Sequence, residues 1–102
     1  MQLKEIAHAR SGDKGTSVNI GVIGNDEGSY RQLEKVLTEK AVGAFFSHPP
    51  EKIKKYFWPK LFAINFVLEE ILNEEGMQAD SQGKAFATAL LELELEDGPS
   101  RH

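Results

Sequence analysis

The chain has 102 residues, a formal net charge of −4 and no cysteine. That length carries one domain with one core, which buries roughly two-thirds of the surface the unfolded chain would expose. The missing cysteines exclude disulfides, thiol nucleophiles and Cys-ligated metals, and they fit a cytoplasmic, reducing setting. The acidic balance argues against nucleic acid or a membrane as partner. No apolar run approaches the roughly 20 residues that span a bilayer, and no signal-peptide pattern is present.

In chain order, Leu3, Ile6, Ala7 and Ala9 alternate with polar residues and predict a first strand from about Leu3 to Ala9. Val18 to Ile23 predicts a second, and Gly24-Asn25-Asp26 with Gly28 is turn chemistry. Ser29 and Gln32 make a capping-box pattern ahead of Leu33, Val36 and Leu37, which fall at helical spacing. Thr38-Glu39 restarts a short second helix carrying Val42, Phe45 and Phe46 inward, and His48-Pro49-Pro50 stops it. Ile53 to Trp58 reads as a third strand, halted by Pro59. Beyond Pro59, Leu61, Ile64, Leu68, Ile71 and Leu72 recur at helical spacing and predict the clearest helix of the chain, ended by Gly76. A short fourth strand from Met77 to Asp80 follows. Asp80 or Ser81 then caps a last helix with Ala85, Phe86, Ala89, Leu90 and Leu93. Residues 91–96 alternate Leu and Glu, so helix and strand compete there, and 97–102 form a frayed tail.

Most of the polar chemistry sits between the first two strands, in Arg10-Ser11-Gly12-Asp13-Lys14-Gly15, followed by Asn19-Ile20-Gly21. Read as a loop, Gly12 and Gly15 let successive N–H groups converge on an anion. Arg10 can grip a carboxylate or phosphate bidentately, Lys14 is a mobile point charge, and Ser11 adds a hydroxyl. Asp13 opposes a simple anion site and pairs naturally with Arg10 or Lys14. The alternative is a tight turn whose charges pair with one another and with solvent. Neither the Walker spacing nor GxGxxG is present, so nucleotide binding has no direct support.

Other residues say less. His8 and His48 read as structural or loop histidines, and with His102 they lack the spacing of a metal site, so neither a metal nor a cofactor is expected. Asn65, placed beside the apolar stripe, must be hydrogen-bonded if buried, at a cost of about 1–3 kcal/mol otherwise. It either braces a loop or meets a ligand. Phe45, Phe46, Phe57, Trp58, Phe62 and Phe66 are expected mostly in the core, with Tyr56 and Trp58 flanking an exposed surface. Lys52, Lys54, Lys55 and Lys60 read as the solvated face of the third strand and the following helix start.

The run Ala9-Arg10-Ser11-Gly12-Asp13-Lys14-Gly15 with Asn19-Ile20-Gly21-Val22-Ile23 resembles the start of the small C-terminal domain of the AtuA, or acyclic-terpene-utilisation, family. The resemblance continues through Leu37-Thr38, Phe46, His48, Tyr56, Leu61-x-Ala63-Ile64-Asn65-Phe66-Val67-Leu68 and Asp80-x-x-Gly83-Lys84, nearly the whole chain. It implies one domain over residues 1–96 with an α+β, ferredoxin-like, two-layer sandwich: a small mixed sheet with helices packed on one face. It implies a link to catabolism of acyclic terpenes and branched acids, pathways that run on acyl-CoA thioesters, and transfers no catalytic residue. Thr16 stands where the family commonly has an acidic residue or Asn. Without the family's large domain, the small one is expected to act alone or to dock onto a separately encoded large subunit.

Three functions remain in view: an accessory subunit that assembles with itself or an AtuA-type partner, a module binding an anionic small molecule, and part of a composite active site. The binding residues expected are Arg10, Ser11, Gly12, Asp13, Lys14, Gly15, Asn19, His48 and Asn65. In the enzymatic reading Asp13, Lys14 and His48 are the acid–base groups.

Overall fold

Two hairpins set side by side make the sheet. The computed structural model describes residues 1–72 and 79–95, and of residues 79–84 the backbone alone. β1 (Ala7–Lys14) and β2 (Ser17–Gly24) form the first hairpin; β3 (Ile53–Trp58) and β4 (Ala63–Leu68) form the second. β4 lies against β2, giving the order β1-β2-β4-β3. Every pairing is antiparallel, where a mixed sheet was expected. Both hairpins are local, so no parallel crossover is required. α1 (Glu27–Val36) and α2 (Glu39–Phe46) join the hairpins, and α3 (Ala79–Leu90) follows the second.

The first strand differs from its sequence pattern. Leu3–Glu5 is a 3-10 turn, and the strand runs from Ala7 through the polar run to Lys14. The Leu3 and Lys4 N–H groups donate to the carbonyls of Leu93 and Leu91 at 2.9 and 3.0 Å, which ties the amino-terminal segment to the end of the chain instead of to a sheet. Ala7–Lys14 stays extended because β2 pairs it residue for residue, Ala7 with Gly24 through Lys14 with Ser17. Only Gly15 and Thr16 remain for the turn. Gly15, at φ 63°, occupies the first central position, which a type II′ turn reserves for glycine.

The helix predicted after Pro59 is a strand. Pro59–Leu61 makes one 3-10 turn, Phe62 takes a left-handed conformation (φ 55°), and Ala63–Leu68 then runs extended. Ile64 and Leu68 satisfy helical spacing, but Ile64, Phe66 and Leu68 also satisfy a period of two. All three are fully buried, and each faces a buried residue of β2: Val22, Ile20 and Val18. Between β2 and β3, an extended segment finds partners for all its backbone groups, and its β-branched and aromatic residues suit a pleated sheet.

The helices start and stop for local reasons. α1 is capped by Asp26, whose Oδ1 accepts the Ser29 N–H at 2.8 Å, so Ser29 lies inside the first turn and is not the cap. Thr38 Oγ1 accepts the Ala41 N–H at 3.0 Å and opens α2. α2 ends where Ser47 turns left-handed (φ 55°) and the His48 N–H donates to the Gly43 carbonyl at 2.8 Å. The return is so close that a Cβ on Gly43 would lie 2.6 Å from the His48 carbonyl oxygen. At the other end, Met77 and Gln78 of the expected fourth strand lie outside the described residues, as do Gly76 and the tail 97–102, while Ala79 and Asp80 already belong to α3. The cap expected at Asp80 or Ser81 falls on side chains not described. In the stretch 91–95, Leu91–Glu92 turn and Glu94 forms a single bridge with Gln2, so neither helix nor full strand wins.

One face of the sheet makes the core. Val18, Ile20, Val22, Ile53, Ile64, Phe66 and Leu68 pack with Leu33, Leu37, Val42, Ala87 and Leu90 of the helical layer. Of the six aromatics expected mostly inside, Phe66 is fully buried and Phe46 and Phe62 pack partly against the core. Phe45, Phe57 and Trp58 are exposed. Among the described residues no helix is long and apolar enough to cross a membrane.

Candidate functional site: the open face of the sheet

Successive side chains of a strand point to opposite faces, and paired residues share a face. The polar run, being strand, is therefore split. Ser11 and Asp13 pair with Ile20 and Val18 on the helix-covered face. Ser11 Oγ accepts the Ala87 N–H of α3 at 2.8 Å, a contact that fastens helix to sheet. Arg10, Gly12 and Lys14 pair with Gly21, Asn19 and Ser17 on the opposite, open face.

Across that face the register builds rows. Arg10, Gly21, Asn65 and Tyr56 form one; Gly12, Asn19, Val67 and Lys54 form the next; His8, Ile23, Ala63 and Trp58 flank the first on its other side. The charged residues at the strand positions of this face are Arg10, Lys14 and Lys54, and no carboxylate stands among them. A chain of net charge −4 thus presents a cationic surface here, because its acids are placed elsewhere.

A cavity of about 360 Å³ opens on the same face. Gly21 and Asn65 form its floor, Ile23 and Ala63 its apolar side, Trp58 and Leu61 its outer wall, and Arg10 its charged edge. Gly21 makes the space: a Cβ there would point at Asn65 Oδ1, 3.7 Å away, into the floor itself. Trp58 and Leu61 are 54% and 60% exposed, so their apolar surface is available to a ligand. Among the described residues, neither the Arg10 guanidinium nor the Asn65 amide has a hydrogen-bond or ion-pair partner within the protein. An unpaired guanidinium beside apolar walls is suited to an anion that carries an apolar body.

The remaining expected site residues are dispersed. Gly15 makes the hairpin turn, with Lys14 exposed beside it. Asn19 is exposed one row from the cavity. His48 lies at the end of α2, where its Nε2 donates to the Glu69 carbonyl at 2.8 Å, so that nitrogen carries the proton. Asp13 on one face, Lys14 on the other and His48 held by backbone do not form an acid–base group. Asn65 stands on a strand and not on a helix, and it floors the cavity where loop bracing had been the alternative. Nearby, Lys52 pairs with Glu70; the contact holds the Glu70 carboxyl below the usual range and raises the Lys52 ammonium.

A family model described as the AtuA ferredoxin-like domain matches residues 1–96. The chain belongs to the AtuA ferredoxin-like domain family. No curated protein and no solved structure matches it. In this AtuA domain only Arg10 and Asn65 of the cavity residues are among the expected binding residues, whereas Gly21, Ile23, Trp58, Leu61, Ala63 and Ile64 are not. Their signal was present in Tyr56 and Trp58, which alternate on one face of β3, but Leu61 and Ala63 were hidden inside an apparent helical stripe.

Proposed function

We propose that this AtuA domain is a non-catalytic accessory module that binds a small anionic metabolite with an apolar body on its open sheet face. One observation carries the reading: Arg10, unpaired among the described residues, stands at the edge of a cavity whose walls are Trp58, Leu61, Ile23 and Ala63. The ligand's anionic group meets Arg10, the Asn65 amide adds a hydrogen bond, and the apolar part lies against Trp58 and Leu61. A branched-chain carboxylate, or the acyl portion of a thioester from acyclic-terpene or branched-acid catabolism, has this chemistry. The module then works beside a separately encoded large AtuA-type subunit that carries out the reaction. Family membership supports that pathway, and the scattering of Asp13, Lys14 and His48 favours a binding role over a catalytic one.

The test is titration calorimetry with isovalerate and a longer branched monocarboxylate, with their methyl esters as uncharged controls. The acids bind and the esters do not. A charge-assisted hydrogen bond contributes about 1.5–3 kcal/mol, so Arg10→Ala weakens the acid by roughly ten- to a hundredfold. Equal binding of acid and ester, or no effect of Arg10→Ala, overturns the reading.

A further inference from the structure

β3 is an edge strand. β4 pairs with one side of it, and among the described residues no strand pairs with the other. Backbone groups of a strand point alternately to its two sides. The Glu69 N–H donates to the Lys52 carbonyl at 2.8 Å, and this sets the phase. Lys54, Tyr56 and Trp58 direct their N–H and C=O groups toward β4, whereas Ile53, Lys55 and Phe57 direct theirs outward. The same edge concentrates apolar surface: of the large exposed hydrophobic residues described, Tyr56, Phe57, Trp58 and Leu61 all lie on or next to β3, with only Phe45 elsewhere. An exposed edge with aromatic side chains is a template for strand pairing.

The pattern Lys54-Lys55-Tyr56-Phe57-Trp58 is complementary to itself. A two-fold axis normal to the sheet pairs β3 with a second β3 antiparallel and keeps each face continuous. Three registers bring the outward-directed groups together. Centred on Lys55, the pairing sets that lysine against its own copy, and like charges directly opposite repel. Centred on Phe57, it sets Lys55 against Pro59, which has no N–H to give, and Lys54 against Lys60. Centred on Tyr56, it sets Lys54 opposite Trp58 and Lys55 opposite Phe57, in both directions, and Pro59 and Lys60 meet only Ile53 and Lys52, at and beyond the strand's end. Each cation then faces an aromatic ring. The contact is one this strand already makes within a single copy, where Lys55 Nζ lies 4.9 Å from the Phe57 ring centroid.

We infer that the chain forms a homodimer through antiparallel pairing of β3 with β3 about Tyr56, making one sheet continuous across two copies. The lysines set the register, since only about Tyr56 do both Lys54 and Lys55 face aromatic rings, with the Pro59 and Lys60 contacts left at the strand ends. The consequence reaches the cavity. Trp58 is its outer wall, and the partner copy's Lys54 comes to lie beside that indole, adding a cation on the side of the cavity opposite Arg10.

Sedimentation velocity of the full chain and cysteine cross-linking test this together. The chain has no cysteine, so an introduced one reports without background. Tyr56 faces its own copy at a non-hydrogen-bonded position, where Cα atoms approach to about 4.5 Å, within disulfide reach. Tyr56→Cys therefore gives a covalent dimer under mild oxidation. Lys54→Cys and Trp58→Cys each cross-link poorly alone and well when mixed. Phe57→Pro removes an outward N–H without touching the β4 ladder and shifts the wild-type dimer to monomer. A wild-type chain that sediments as a monomer at every concentration overturns the inference. So does a dimer in which Cys at 54, 56 and 58 cross-link alike or Phe57→Pro has no effect.

Discussion

Arg10 and Ser11, adjacent in the chain, serve opposite faces of the sheet. Arg10 stands over Gly21 at the edge of the open cavity, while Ser11 Oγ holds the Ala87 N–H of α3 at 2.8 Å. One strand step therefore separates a group available to ligand from a group that fastens the helical layer. The polar run is a two-sided strand, with Arg10, Gly12 and Lys14 on the open face and Ser11 and Asp13 on the helix-covered one.

The two residues should respond oppositely to truncation. Ser11→Ala removes the acceptor of the Ala87 N–H and costs about 1 kcal/mol in urea unfolding, with carboxylate affinity unchanged. Arg10→Ala, at an exposed position, changes stability by less than about 0.5 kcal/mol and loses the affinity. Denaturation and calorimetry on both variants check the pair.

Gly21→Val is expected to close the cavity without unfolding the sheet. A Cβ at this position makes ordinary contact, 3.7 Å from Asn65 Oδ1, and valine suits a strand. The added methyls occupy the floor, so binding of branched carboxylates falls at least tenfold, by roughly the 1.4 kcal/mol that factor represents, while the melting temperature holds or rises.

Gly43→Ala is expected to destabilise by about 1–3 kcal/mol, because the new Cβ would sit 2.6 Å from the His48 carbonyl and 3.3 Å from Ile53 Cδ1. The strain falls where α2 hands the chain to β3. The His48 ring resonances in an NMR spectrum should shift as its contact with Glu69 loosens.

Acid stability should depend on Asp26. The Ser29 N–H bound to its carboxylate holds its pKa below the ordinary 3.8. A group lowered in the folded state contributes stability above its unfolded pKa and loses it as pH falls through the folded one. Melting temperatures across an acid series should fall more steeply for wild type than for Asp26→Asn, which keeps an uncharged cap. Asp26→Ala melts lower than wild type at neutral pH, and the difference narrows as acid protonates the wild-type cap.

Phe66, wholly buried between β2 and β3 on the helix-covered face, sets the scale for these effects. Phe66→Ala should cost about 3–5 kcal/mol and abolish cooperative melting if the domain's stability is of similar size.

The sequence by itself determined the α+β class, the family, the second and third strands, the helices after Asp26 and Thr38, and the polar run in which Arg10 stands. These depend on local signals: Thr38 capping α2, Pro59 ending β3, glycine in the turn after Lys14. Only the tertiary structure decided that Ala63–Leu68 is a strand and that Arg10 and Ser11 part company. Ile64 and Leu68 fit both periods, so the choice passed to the partners available, and β2 and β3 lay on either side. Likewise a face exists only once register is set. Gly21, Asn65 and Trp58 come from three strands, and no spacing along the chain announces that antiparallel pairing will bring them around Arg10.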